Sequence, residues 1–256
     1  METVYNTGEI RTVLTPADHT VLCRIIRLFG KLVEVEPIGE YRTMTPNQVW
    51  LTLVGEVCVR GSARHMERLR SDPSLRAEFE GAVSLKAMNH ERNVVSYLTN
   101  TFRDFSATRF PKRGAEYLAT LLQFPAVFHK DKLVLFNQLS HKASAVQTRD
   151  ELIKRCPIFR LKSASDFMIS VGLSHDVIAL DTRVVGTLQK HLSYNLTPAR
   201  IQSQRGLYLS LEVALRNFCN EQNISLALLD RILFKFSNMG AIDLIVKYPE
   251  VRSSFG

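Results

Sequence analysis

Apolar residues recur three and four positions apart over most of the chain, the period of helices that bury one face. Val21, Ile25, Ile26, Phe29, Leu32 and Val33 keep this spacing across residues 16–35, and Thr15 followed by Pro16 supplies a start signal. Thr45-Pro46 opens a second helix carrying Val49, Trp50, Leu53, Val54 and Val57, which ends near Gly61-Ser62. The same period predicts helices near 90–104, 113–123, 130–141, 149–155, 163–172, 182–192, 205–221 and 225–238. Phe110-Pro111, Phe124-Pro125, Cys156-Pro157, Gly172 and Thr197-Pro198 break them. Strand alternation is scarce, and Lys31 to Pro37 fits a short extended piece or a helix end. No repeat at a fixed period and no low-complexity tract interrupts the pattern. The expectation is an all-α fold. Its expected parts are an N-terminal helical segment over 1–45 packing with the C-terminal helices, a helical domain over 46–192, and C-terminal helices over 193–256.

Composition narrows the class. The 256 residues are 45% hydrophobic and 23% charged, enough to bury a core without disulfide or metal staples. No apolar run is long enough for a membrane-spanning helix, and Met1-Glu2-Thr3-Val4-Tyr5-Asn6 lacks the basic start and apolar core of a secretory leader. Cys23, Cys58, Cys156 and Cys219 stand 35, 98 and 63 positions apart, too dispersed for a zinc knuckle or an iron–sulfur run, and read as reduced thiols of a cytoplasmic protein. The seven histidines show no metal-ligand spacing. Neither metal nor cofactor is expected, and the expected state is a monomer without membrane association. Against 25 acidic residues stand 33 basic ones, a formal charge of +8, which points to a polyanionic partner but also serves solubility. Arg60, Arg64, Arg68, Arg70 and Arg76 crowd one junction against only Glu67 and Asp72; charge at that density is ordinarily a solvated face.

Chemistry concentrates between Lys154 and Val184. Lys154, Arg155, Arg160 and Lys162 fall within nine residues, and Pro157 breaks the preceding helix. A new helix then begins near Lys162, which stands in its first turn beside the positive end of the helix dipole. Gly172 supplies the left-handed residue that stops this helix, and Asp181 is placed to cap the next one, carrying Arg183, Val184, Val185, Leu188 and Leu192. Ten helical residues carry the chain roughly 15 Å away from Lys162, while the link 173–181 can span up to roughly 30 Å and bring Asp181 back. Spacing alone favours the plainer reading, an exposed helix lysine and a capping aspartate.

Lys162-Ser163-Ala164-Ser165-Asp166-Phe167, leading through Val171-Gly172 to Ile178-Ala179-Leu180-Asp181-Thr182-Arg183-Val184, resembles the helix-hairpin-helix, Gly/Pro-rich-loop, aspartate core of the DNA glycosylase superfamily (HhH-GPD). It is most similar to the archaeal-type 8-oxoguanine DNA glycosylase/AP lyases. The stretch Arg109-Phe110-Pro111-Lys112-Arg113-Gly114-Ala115-Glu116-Tyr117-Leu118 resembles the start of the family's mid-domain helix, and Leu53-Val54 through Val57-Cys58 to Ser62-Ala63 its first long helix. The resemblance covers roughly residues 45–240 and implies a two-lobed helical fold. It also implies removal of an oxidised purine such as 8-oxoguanine from double-stranded DNA, followed by strand cleavage. Lys162 takes the role of nucleophile and Asp181, nineteen residues on, that of its partner. Two departures stand out: Ile158 and Arg160 occupy hairpin positions where glycines let backbone amides approach a phosphate, and Arg183 stands where a histidine is common. The four-cysteine cluster of the iron–sulfur branch has no counterpart.

A lysine attacks only as the amine, so its surroundings must favour the neutral form; the helix N-terminus, Arg160 and desolvation beside a flipped nucleotide act in that direction. An ionised Asp181 would stabilise the charge that develops on the sugar. Asp166 and Phe167, one turn beyond Lys162, are candidates for the base pocket, Asp166 by accepting from a purine N–H and Phe167 by stacking; core packing is the other reading of Phe167. Asp230 and Phe234, on a later amphipathic helix, are further pocket candidates. Arg155, Arg160, Arg183, Arg60 and Arg64 are the candidate DNA contacts, with the two hairpin arginines replacing the amide contacts. Two alternatives remain open: a protein of this fold that binds without turnover, and one repurposed for a modified guanine-like base, for example within a bacterial antiviral gene set.

Overall fold

The computed structural model describes residues 13–129, 132–137, 139, 143–192 and 196–247. In chain order its elements are α1 (Pro16–Phe29), α2 (Pro46–Cys58), α3 (Arg64–Ser71), α4 (Pro73–Ala82), α5 (Leu85–His90), α6 (Val94–Asp104), α7 (Pro111–Gln123), β1 (Phe128–His129), β2 (Lys132–Leu133), α8 (Ala145–Arg155), α9 (Leu161–Ser170), α10 (Thr182–His191), α11 (Pro198–Ser203), α12 (Arg205–Glu221), α13 (Leu226–Asn238) and α14 (Ala241–Lys247). Among the described residues the fold is all-α apart from one antiparallel pair, in which Phe128 faces Leu133 and His129 faces Lys132. No helix among the described residues is long and apolar enough to cross a membrane.

Local chemistry explains the helix starts. Thr15 and Thr45 each close a capping box, with Asp18 and Gln48, and each is followed by proline in the first turn. Ser144 does the same with Gln147 at the start of α8. The helix expected over 130–141 is absent where the chain is described: Lys132 and Leu133 pair in β2, and Leu135 to Asn137 form a turn. Its apolar run Leu133-Val134-Leu135-Phe136 fits a short buried extended piece as well as a helix, and periodicity cannot separate the two.

The chain divides into two compact units, one of residues 36–173 and one joining 13–35 to the segment from 174 onward. The divisions at 45/46 and 192/193 stay expectations; in the unit joining 13–35 to the segment from 174 onward, α10 packs on α13. In the unit of 36–173, α6 packs on α7, α8 on α9, and α2 on both α7 and α9. Trp50, Leu53, Leu98, Phe102, Leu118, Phe159 and Phe167 are buried in its core, where the Trp50 indole donates to the Val83 carbonyl at 2.7 Å. In the other unit α13 is central, touched by α1, α10, α12 and α14. The Phe29 and Phe236 rings stack there with centroids 4.0 Å apart.

Candidate active site

The hairpin follows α8. Cys156 N–H donates to the Leu152 carbonyl and Phe159 N–H to the Cys156 carbonyl, while the Ile158 and Phe159 side chains are buried. Arg160 is the extended N-cap of α9, and its N–H donates to Ser163 Oγ at 2.9 Å. The amides of 159 and 160 are thus both engaged within the chain. Arg149, buried on α8, donates to Ser165 Oγ at 2.9 Å, and that hydroxyl donates to the Leu161 carbonyl, so α8 fixes the first turn of α9.

Lys162 is the second residue of α9. Its Nζ lies 2.9 Å from Asp166 Oδ2, with the two side chains 22% and 16% exposed. Ion pairing with a carboxylate favours the ammonium form. Asp166, expected to accept from a purine, is therefore engaged by the lysine of its own helix, as i,i+4 spacing allows.

Arg60 lies at the hairpin as well. Its guanidinium donates to the Ile158 carbonyl and sits 4.5 Å from the centroid of the Tyr117 ring. Burial pushes its pKa below the ordinary arginine value; Tyr117 and Glu56 oppose this, and the like charges of Arg113 and Arg160 add to it. Arg113 Nε donates to the Tyr117 hydroxyl at 3.0 Å, and its guanidinium lies 5.5 Å from the same ring. Three guanidiniums thus gather around one tyrosine and the hairpin, with Arg113 and Arg160 exposed and Arg60 half-buried.

Asp181 belongs to the other unit. It caps α10, its Oδ1 accepting from the N–H groups of Arg183 at 2.9 Å and Val184 at 2.8 Å. Arg183 covers the half-buried ring of Phe234, guanidinium to centroid 4.3 Å. Asp230 is buried, accepts from Ala179 N–H at 2.7 Å and faces Arg231 at 3.3 Å.

Several expectations need correction. Phe167 is fully buried, between Phe159 at 5.0 Å and Phe136 at 6.0 Å, so it is a core ring rather than a stacking surface. Asp230 accepts from the backbone before α10. Arg60 braces the hairpin, and Arg155 is half-buried and donates to the Asn137 carbonyl. Arg64 stands exposed at the start of α3. The sequence reading missed Arg113 and Tyr117, for which the i,i+4 spacing at the start of α7 is the legible signal. It also missed Tyr208 and Glu212, buried polar side chains on an otherwise apolar helix face. Among the described residues no group of His, Cys, Asp and Glu could hold a metal ion.

The fold has counterparts among solved structures. The 8-oxoguanine glycosylase/lyase of Methanocaldococcus jannaschii, in complex with a 15mer DNA containing 8-oxoguanine, superposes with a TM-score of 0.60 at 16% identity, over 88% of this chain and 92% of that one. A second structure of the 8-oxoguanine DNA glycosylase from the same organism gives 0.58 at 18% identity, over 86% and 87%. The chain has the helix-hairpin-helix glycosylase fold. No family profile matches the sequence and no curated protein does.

Proposed function

We propose that the chain is a DNA glycosylase with AP lyase activity that releases an oxidised purine such as 8-oxoguanine from duplex DNA. The observation that carries this reading is a lysine in the first turn after the hairpin, held by a carboxylate one turn on, in a glycosylase fold. Lys162 would give its proton away and attack the sugar anomeric carbon as the amine. The bond to the base breaks and the base leaves with the electron pair, taking up a proton; the C1′–O4′ bond then opens as a proton of the lysine nitrogen passes to the ring oxygen, and a Schiff base remains. Loss of a neighbouring proton then breaks the sugar–phosphate bond by β-elimination. In this reading Asp166 holds the ammonium and takes its proton, and an ionised Asp181 stabilises the charge developing on the sugar.

The test is borohydride trapping on duplexes with single modified bases. Lys162→Gln is expected to lose both base release and the covalent adduct while its melting stays nearly unchanged, since a half-exposed lysine contributes little to stability. Retained trapping in that variant moves the nucleophile elsewhere. Asp181→Asn is expected to slow base release by about a hundredfold or more with duplex affinity kept, because asparagine still caps the helix.

The hairpin supports a second reading. Its 159 and 160 amides bond within the chain, and Ile158 and Arg160 replace glycine, which favours a protein of this fold that binds DNA without turnover or serves a different modified base. Duplex binding with no base release from any oxidised-purine duplex would select that reading.

A further inference from the structure

Residues 177–180 are four consecutive apolar positions, all buried and none helical. Buried backbone outside a helix or sheet must find its hydrogen bonds elsewhere, and here side chains provide them. Ile178 N–H donates to Glu212 Oε1 at 3.3 Å and Ala179 N–H to Asp230 Oδ1 at 2.7 Å. The Tyr208 hydroxyl donates to the Ile178 carbonyl at 2.5 Å and accepts from Leu180 N–H at 3.3 Å. Gln202 donates to the Leu180 carbonyl at 3.3 Å, and the Ala179 carbonyl accepts from Asp181 N–H at 2.6 Å. Every backbone donor and acceptor of 178–180 is accounted for, and the strap runs directly into the Asp181 cap. Glu212 and Asp230 are buried carboxylates, each beside an arginine: Arg216 at 3.6 Å and Arg231 at 3.3 Å. Buried charges are costly compared with apolar packing, and here both carboxylates bond the backbone of the same strap.

We infer that Tyr208, Glu212 and Asp230 are positioning residues for Asp181, fixing the strap that sets where its carboxylate stands. The inference rests on the proposed role of Asp181 in the chemistry. A displacement of about 1 Å at a reacting group can cost about a hundredfold in rate, and a strap held by side chains controls that placement without touching substrate.

The experiment is a double-mutant cycle read by single-turnover base release from an 8-oxoguanine duplex, using Tyr208→Phe, Asp181→Asn and both together. Tyr208→Phe is expected to slow release about tenfold or more, with duplex affinity within about twofold, and to add nothing in the Asp181→Asn background. Equal slowing in both backgrounds, or none in either, overturns the positioning role. A fast Asp181→Asn single variant instead overturns the chemistry proposed for Asp181. Gln202→Ala, at an exposed position that folding tolerates, removes the Leu180 carbonyl contact and is expected to give a smaller loss of the same non-additive form. If the unaltered chain releases no base, the proposed function fails, and amide hydrogen exchange still reads the strap. Faster exchange in Tyr208→Phe or Gln202→Ala confined to 178–184 supports the fixing role; unchanged or uniformly faster exchange overturns it.

Discussion

At the scale of single residues, the pairing of Lys162 with Asp166 is the feature most exposed to test. A nearby carboxylate stabilises the ammonium, so it raises the pH at which the amine becomes available. Asp166→Asn is therefore expected to move the acidic limb of the base-release pH–rate profile to lower pH; a limb that stays or moves upward would remove Asp166 from the proton path. The cysteines give a second prediction. Burial pushes the thiols of Cys58, Cys156 and Cys219 up to about 12, so at pH 8 about one in ten thousand of each is thiolate. Cys23 is half-buried on α1. Iodoacetamide should modify it alone in the native chain and all four thiols after unfolding, and mass spectrometry of the digested protein reads the sites. Residue roles were the least legible part of the sequence. Lys162 and Asp181 could be singled out by their place at helix starts, but Phe167 and Asp230 show no sequence difference between lining a pocket and serving the core. The distinction lies in which neighbours meet them, and those neighbours are distant in the chain.

Helix starts and stops, by contrast, are local chemistry and could be read directly. Thr15-Pro16, Thr45-Pro46, Gly172 and Asp181 all terminate or cap the helices expected of them, and 205–221 coincides with α12. What escaped were helices such as α5, α11 and α14, six or seven residues long and too brief to show a period, and the β1–β2 pair. Gly172 illustrates how much a stop signal leaves unsaid. Its φ is +62°, as a left-handed helix stop requires, but its carbonyl also accepts from Gly39 N–H at 2.8 Å, and a Cβ there would run into the Pro37 carbonyl oxygen. Gly172 is therefore the point where the 37–40 segment crosses the end of α9. Gly172→Ala is expected to destabilise by about 1–3 kcal/mol or more. Gly186→Ala, inside α10 with nothing near its Cβ position, should instead stabilise by about 0.4–1 kcal/mol. Urea denaturation of the two variants measures both. Equal midpoints would mean that the crossing imposes no constraint.

For the whole molecule, the excess of 33 basic over 25 acidic residues acquires meaning only through placement. The sequence shows a run of arginines after α2; the structure uses Arg60 from that run to brace the hairpin, and leaves Arg113 and Arg160 exposed beside it. Nor could the joining of 13–35 to the segment from 174 onward be read locally, since it depends on contacts such as Phe29 with Phe236 across most of the chain. Burial is the main cause of the lowered pKa of Arg60, and the like charges of Arg113 and Arg160 add to it; a bound polyanion would relieve that repulsion. With the 159 and 160 amides engaged internally, the exposed guanidiniums of Arg113 and Arg160 are the candidates for meeting a phosphate at the hairpin. Each exposed arginine that neutralises a phosphate releases counterions, which steepens the fall of affinity with salt by about one unit of log–log slope. Replacing Arg113 and Arg160 together with alanine should then weaken binding to lesion-containing and undamaged duplexes alike and flatten that slope by about one to two units. The discrimination between the two duplexes should persist, because phosphate contacts position a protein without reading bases. Anisotropy titrations over a salt series, on one duplex of each kind, give both numbers. An unchanged slope would take the hairpin face out of DNA contact and leave the remaining positive charge, including Arg64, to carry it.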